Sequence, residues 1–387
     1  MDVESRQIAS RTPEVKMFKQ SSDYRRSLNA QLARRRRGAA SILILLLLIL
    51  LLVVAVFAVD YGHLLMVRTD LQRTADNSAL AGLQDLIPEP DGSQDLESVR
   101  ERVREYVVKN LQHEGFVVDD ADIEIGRYDP ETIYSSEKTL LQDGVFDTIR
   151  VTLRRDDLSN TSVSLLFARM FGMKNANVSA TATAVLQKAR YLPPGSDILP
   201  IVVPQSSWDA QQPGDRWKIY ADGRVENKSG FPIPGNWGTV DIGASANSNS
   251  DIVDQINNGL SQSDLNHLHS DGIIPENTHI DGDRPMWVSA DTGLSSGMKT
   301  AVRNAHGKYK LIPIIDDLNE GNGENLEYHV VKWGVVEVVD SYWAGNKKTF
   351  IRIKKAYMYD GDLRAHGDLS NTTDLIDNAF TSPVLIE

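Results

Sequence analysis

Three acidic turns contain the residue types that could bind a metal ion. Asp281-Gly282-Asp283 and Asp360-Gly361-Asp362 place two carboxylates around a glycine, and Glu320 and Glu324 flank a Gly-Asn-Gly insert. Calcium takes roughly six to eight oxygen ligands, which short Asp/Asn/Gly loops can supply. None of the turns has the full calcium-loop pattern with its closing glutamate, and Asp-Gly is also a common turn dipeptide. Calcium binding at Asp281, Asp283, Asp360 and Asp362 therefore stays open, while the prediction for the chain is no cofactor.

No arrangement of residues predicts an enzyme. The chain has no cysteine, which excludes disulfides, thiolate metal sites and a cysteine nucleophile. It also lacks a Gly-x-Ser-x-Gly elbow, a P-loop and a dinucleotide fingerprint. His267 and His269 match neither metalloprotease nor zinc-finger spacing. We therefore expect a protein that works without catalysis.

The dominant feature is the uncharged apolar run Gly38–Val59. A membrane-spanning helix needs about 20 apolar residues, and this run meets that length. Arg34, Arg35, Arg36 and Arg37 precede it, and positive charge beside a span stays cytoplasmic. We expect a cytoplasmic N-terminus, a single pass through the cytoplasmic (inner) membrane, and exported C-terminal domains. A cleaved signal peptide is the alternative, but its apolar region is only about 7–15 residues long.

Charge is divided along the chain. The net charge is −12, of which residues 1–37 contribute +6, so the remaining residues carry −18. A basic arm beside a membrane span is expected to contact anionic lipid. The acidic remainder argues against nucleic-acid binding.

A helical stripe continues after the span. No proline interrupts residues 60–87, and small or apolar residues recur at intervals of three, four and seven. Small residues let another backbone approach closely, so we expect the stripe to pack against another helix. Its members are Leu64, Leu71, Ala75, Ala79 and Gly82.

The predicted fold class is α+β, with five segments. Residues 1–37 form a basic, disordered arm, residues 38–59 the transmembrane helix, and residues 60–87 its extracytoplasmic continuation. Residues 95–190 contain alternating strand patterns and a short apolar helix at Ser164–Phe171, which together outline a pilin-like α+β domain. Pro193-Pro194-Gly195 marks a linker, and residues 197–387 are predicted to be mostly β.

The N-terminal region resembles TadG-like (TadE/TadG family) proteins of Tad/Flp pilus assembly. The matching features are the basic cluster with Gly38, the long aliphatic run, Asp60-Tyr61-Gly62, and Ala75-Asp76 leading into Ala79-Leu80-Ala81-Gly82. The resemblance covers about 50 residues and extends more weakly to residue 187. It implies a single-pass membrane protein that assembles or anchors a type IV-like pilus, with pilin or other assembly subunits as partners and a homo-oligomer left open.

One departure bears on processing. Prepilins carry a glutamate five residues after the cleavage-site glycine, whereas Gly38 is followed at that offset by Leu43. An uncut anchor fits this sequence better than a subunit released into a filament. The alternative function is a membrane-anchored adhesin or binding module that uses the same anchor.

Overall fold

The computed structural model describes residues 14–111, 115–129, 140–226, 232–234, 238–243, 248–282, 284–292, 294–320, 326–365 and 376–386. The chain forms two units. One comprises the chain up to Val67 together with Ser162–Val178, and the other comprises Arg68–Thr161 together with the chain from Ser179 onward.

The first element is the helix α1, Glu14–Leu86. The description of the helix starts at Glu14, and the helix ends before Pro88, since proline cannot continue a helix. The side-chain amide of Gln94 donates to the carbonyl of Leu86 at 2.6 Å, which satisfies one terminal acceptor. The prediction of disorder over residues 1–37 is wrong for residues 14–37, because a proline-free stretch of Leu, Ala, Gln and Arg continues the helix backward from the span.

A second helix, α2 (Leu96–Leu111), follows a short turn. The Asp95 carboxylate accepts the backbone N–H groups of Glu97 and Ser98, which is an N-cap arrangement. Val99, Val103 and Val107, spaced by four, are completely buried and form the apolar face expected of an amphipathic helix.

The first sheet is built mainly from strands of the predicted pilin-like segment. Its order is β1-β2-β5-β18-β17, and β1 pairs with β2, and β18 with β5, in antiparallel fashion. The strands are β1 Ile123–Gly126, β2 Thr148–Arg155, β5 Val178–Lys188, β17 Met358–Tyr359 and β18 Ala379–Ile386. The sheet therefore contains two strands from the far C-terminal part of the chain.

This topology changes the predicted division at residues 191–196. Segments 95–190 and 197–387 are not separate domains, because β18 lies beside β5 and pairs Val384 with Val185. The edge of β5 needs a partner for its backbone groups, and the returning strand supplies it.

The second sheet contains, within the described residues, nine strands in the order β10-β9-β8-β16-β15-β13-β11, with β14 pairing with β15 and β7. Its longest strands are β14 Tyr309–Glu320 and β15 Leu326–Tyr342, which pair in antiparallel fashion. The others are β7 Val203–Pro204, β8 Arg216–Tyr220, β9 Arg224–Glu226, β10 Pro232–Pro234, β11 Gly238–Val240, β13 Met286–Thr292 and β16 Phe350–Lys355.

The core of the second sheet is aromatic and β-branched. Trp208, Trp217 and Trp333 are fully buried, and the rings of Trp208 and Trp217 meet edge to face at 6.3 Å. The described residues include four short helices beside this sheet: α3 Gln205–Asp209, α4 Asn249–Asn258, α5 Gln262–Ser270 and α6 Lys299–Asn304. The described residues also form two two-stranded ladders, β3 Val163–Ser164 with β4 Asn175–Ala176 and β6 Tyr191–Leu192 with β12 Ile280–Asp281.

Candidate membrane-boundary site

The carboxylate of Asp60 accepts four backbone hydrogen bonds from a segment more than 100 residues away. Oδ1 accepts the N–H groups of Leu166 and Phe167 at 2.7 and 3.1 Å, and Oδ2 accepts those of Phe167 and Ala168 at 3.0 and 2.5 Å. Only 3 % of the Asp60 surface is exposed. A buried carboxylate is stable only when its oxygens are satisfied, and here both are.

The segment that binds Asp60 is a short loop, residues 162–178, which we call the boundary loop. The pairing of β3 with β4 closes its ends, with Val163 opposite Ala176. Between them, a single 3-10 turn covers Ala168–Phe171 and ends at Gly172, whose φ of 90° favours glycine. The first N–H groups of such a turn have no partner inside the turn, so they are free to bind an anion.

The short apolar helix predicted at Ser164–Phe171 is wrong. Ser164 belongs to β3, and only the 3-10 turn is helical. Asp60 binds the amide groups of Leu166, Phe167 and Ala168, which lie at the start of this turn.

The hydrogen bonds set the charge state of Asp60. Burial opposes ionisation, but the amides of Ala168, Phe167 and Leu166, together with the nearby His63, hold the pKa of this carboxyl below its usual value. Asp60 is therefore negatively charged at neutral pH.

Apolar side chains on the boundary loop face outward. Met170 is 80 % exposed and Phe171 is 56 % exposed, and Leu166, Phe167 and Met173 are exposed as well. The ring of Phe171 stacks on that of Phe57 in α1, with 5.7 Å between the centroids. The loop thus contacts the end of the apolar run and presents further apolar surface beside it.

Within the described part of the chain, one helix is long and apolar enough to cross a membrane, namely α1 over Ala40–Leu86. Its large apolar side chains from Ile42 to Leu52 are exposed. The side chains of Arg34, Arg35, Arg36 and Arg37 lie outside the part whose side chains are described.

The small-residue stripe lies inside the fold. Leu71, Ala75 and Ala79 are at most 1 % exposed, and a Cβ at Gly82 would lie 2.7 Å from Val103 and 2.9 Å from Ile149. The chain's own α2 and β2 occupy the space beside Gly82, so this position does not offer the free surface for a partner helix that the stripe predicted. Leu64, in the other unit, is half-buried.

The candidate calcium ligands are not brought together. Asp281 forms a two-pronged ion pair with Arg190 at 2.9 and 3.0 Å, and Asp360 and Asp362 share a turn in which Asp360 accepts the N–H of Asp362. Asp283 lies outside the described residues. Among the residues that are described, no group of three or more His, Cys, Asp or Glu side chains is placed to hold a metal ion.

Sequence reasoning did not single out an acidic cavity of about 580 Å³ between α4 and α5. Asp241 is its most buried carboxylate, at 1 % exposure. It accepts the N–H of Ser248 at 2.9 Å and the amide of Gln255 at 3.2 Å. Burial, with further contributions from the like charges of Asp251 and Asp264, raises the pKa of Asp241 to about 6. Four carboxylates share the rim of this cavity with Asp241: Asp251, Asp254, Asp264 and Asp271.

Asp241 should make the protein less stable as pH rises. Its pKa is 3.8 in the unfolded chain and about 6 in the fold, so the folded state binds the extra proton between these values. The contribution of Asp241 to the free energy of unfolding is largest below pH 4. It falls by about 3 kcal/mol as the pH rises through 6. Asp241→Asn should remove this fall, at a cost of about 1 kcal/mol for the lost Ser248 bond. Denaturant unfolding of the detergent-solubilised chain at pH 4.5 and 7.5 measures this change in the free energy of unfolding. An equal change in the original protein and in Asp241→Asn would contradict the prediction.

Two family models match this chain. Residues 38–85 match a model described as putative Flp pilus-assembly TadE/G-like, and residues 88–184 match one described as putative Tad-like Flp pilus-assembly. No curated protein and no solved structure matches the chain. The resemblance expected from the sequence is thereby confirmed over residues 38–184.

Proposed function

We propose, starting from the identification of residues 38–184 as a Tad-like Flp pilus-assembly region, that this chain is a retained membrane component of a Tad/Flp pilus apparatus. It spans the membrane once, works through interactions rather than catalysis, and presents an exported body to other pilus subunits. Whether it self-associates in that role is part of the same proposal.

The observation that carries the proposal is that the Asp60 site joins the two matched segments. Asp60 lies in the segment 38–85, and the amides that bind it, at residues 166–168, lie in the segment 88–184. The contact therefore fastens the exported Tad-like segment to the end of the membrane helix. A protein whose task is to hold a pilus component at the membrane surface needs such a fixed connection.

Two sequence features support the topology and the retention. Arg34–Arg37 precede the span and favour a cytoplasmic N-terminus in the inner membrane. Leu43 stands where prepilins have the glutamate associated with processing, so the helix stays uncut and the protein remains an anchor.

The sequence predicted that partner helices bind the small-residue stripe, but the stripe at Ala75 and Ala79 is buried within the fold. The stripe at Ala75 and Ala79 is occupied by the chain's own packing, so partners must bind other exported surfaces. The acidic cavity beside α4 and the region outside the matched segments, residues 185–387, are the parts from which such surfaces would come.

Complementation tests the proposal in the organism that carries this chain. We expect deletion of the gene to abolish surface pili and the intact chain to restore them. A form in which residues 1–59 are replaced by a cleavable signal peptide should be exported at equal abundance but fail to restore pili. Pili that persist after gene deletion would overturn the pilus role, and pili restored by the soluble form would overturn the anchoring role.

The adhesin alternative is favoured by one observation, namely that both family matches end before residue 185. The remaining chain, with its second sheet, is additional to the matched region. An adhesin predicts normal pilus numbers and lost surface attachment in the same deletion strain.

A further inference from the structure

We propose that the boundary loop, residues 162–178, inserts its apolar tip into the outer leaflet of the bilayer and forms a second membrane contact beside the span. The proposal rests on the membrane-anchoring part of the proposed function. Lipid covers the exposed apolar surface of the loop. The side chains that enter the bilayer are those of Leu166, Phe167, Met170, Phe171 and Met173.

The boundary loop lies at the depth of the last turn of the span. Phe171 stacks on Phe57, which lies within the apolar run Gly38–Val59. Phe57 precedes Asp60 by about 4.5 Å along the helix axis, at about 1.5 Å per residue. The loop therefore reaches back past its Asp60 attachment to the part of α1 that lipid surrounds.

Exposed apolar side chains lie both on the loop and on α1, and the Phe57–Phe171 stack joins the two. Asp60 is the only Asp, Glu, Lys or Arg between Arg37 and Arg68. Beyond it, Tyr61, Leu65 and Met66 on α1 are exposed, as are the loop residues. An exposed apolar patch that continues a membrane span is covered most simply by the same bilayer.

Five backbone N–H groups of the loop have partners within the protein. Irregular backbone is excluded from lipid unless its N–H and C=O groups are satisfied. The amides of Leu166, Phe167 and Ala168 bind Asp60, the N–H of Leu165 binds the carbonyl of Lys174, and the N–H of Met173 binds that of Ala168. The Asp60 carboxylate is likewise satisfied, which lowers the cost of placing a charge at the membrane boundary.

The charge beside the tip favours lipid over a partner protein. Arg169 and Lys174 are exposed on the same loop as the apolar side chains. Apolar residues flanked by basic ones are typical of segments that lie in the interface of anionic membranes. Met170, with 80 % of its surface exposed, is the most exposed residue of the tip.

The absence of cysteine allows a direct test with single-cysteine variants of the full chain. Met170→Cys and Leu166→Cys are labelled with an environment-sensitive fluorophore and placed in nanodiscs of zwitterionic and anionic phospholipids. Leu45→Cys in the span is the control for lipid contact, and Asn258→Cys, exposed on α4, is the control for solvent. Lipids with a spin label on the upper acyl chain serve as the quencher.

We expect labels at residues 166, 170 and 45 to emit at shorter wavelength than the label at 258 and to lose fluorescence to the quencher. If Leu45 is quenched while 166 and 170 are not, the loop proposal is overturned and the anchor stands. A blue shift without quenching at 170 would show that protein covers the tip, which also overturns it. An unquenched label at 45 would overturn both the anchor and the loop contact.

Discussion

Gly82→Leu is expected to destabilise the packing of α1 on α2 and β2 by an amount near the top of the about 1–3 kcal/mol range for overpacked cores. A Cβ at this position would already lie 2.7 Å from Val103 Cγ2 and 2.9 Å from Ile149 Cδ1. Both neighbours are completely buried, so neither can move into solvent. The gain in helix propensity, about 1 kcal/mol, offsets only part of the loss.

The matched control for Gly82→Leu is Gln84→Leu, which changes an exposed residue on the same helix. Thermal unfolding of both full-length variants in detergent, followed by circular dichroism, measures the difference. Equal melting temperatures for the two variants would mean that α1 is not packed against α2 and β2.

Phe380→Ala is expected to cost about 3–5 kcal/mol of unfolding free energy, the usual range for a buried phenylalanine. Phe380 is 4 % exposed, stacks on Tyr357 at 6.1 Å between ring centroids, and lies opposite Lys188 in the pairing of β18 with β5. Its removal leaves a cavity where the last strand joins the first sheet.

Leu385→Ala is the control for Phe380→Ala, because Leu385 lies on the same strand with 40 % of its surface exposed. Denaturant unfolding of the solubilised chain compares the two. A Phe380→Ala protein no less stable than Leu385→Ala would show that β18 does not complete this sheet in solution. A chain truncated at residue 196 would then be expected to fold, whereas the observed topology predicts that it does not.

Local patterns in the sequence were sufficient for the α+β class and for several elements. Alternating strand patterns were predicted within residues 95–190, where the structure has β1, β2 and β5. In these segments the apolar period itself determines which face is buried, so no distant contact is needed to recognise them.

Contacts between distant residues could not be predicted. Val384 pairs with Val185 across nearly 200 residues, and no local pattern indicates which edge a strand joins. The stripe at Ala75 and Ala79, which was predicted to pack against another helix, is buried within the fold. It did not indicate whether a partner or the chain's own strands cover that face, because burial by either one selects the same small residues.

The Asp60 site likewise depends on a contact between distant residues that the sequence did not indicate. Asp60 was visible as the first charge after the span, and the apolar residues around Phe167 were visible as a run. The sequence predicted a short apolar helix at Ser164–Phe171. In the structure these apolar side chains are exposed on a loop whose amides bind the Asp60 carboxylate, a contact between residues more than 100 positions apart.

Asp60 holds the boundary loop at the end of the membrane helix through the amides of residues 166–168. Hydrogen exchange of these three amides measures whether that contact forms. In the full chain in nanodiscs, these amides should be protected, and Asp60→Ala should make them exchange rapidly. Asp70→Ala, a change of an exposed aspartate on the same helix, should leave them protected. Unchanged protection of residues 166–168 in Asp60→Ala would contradict the account.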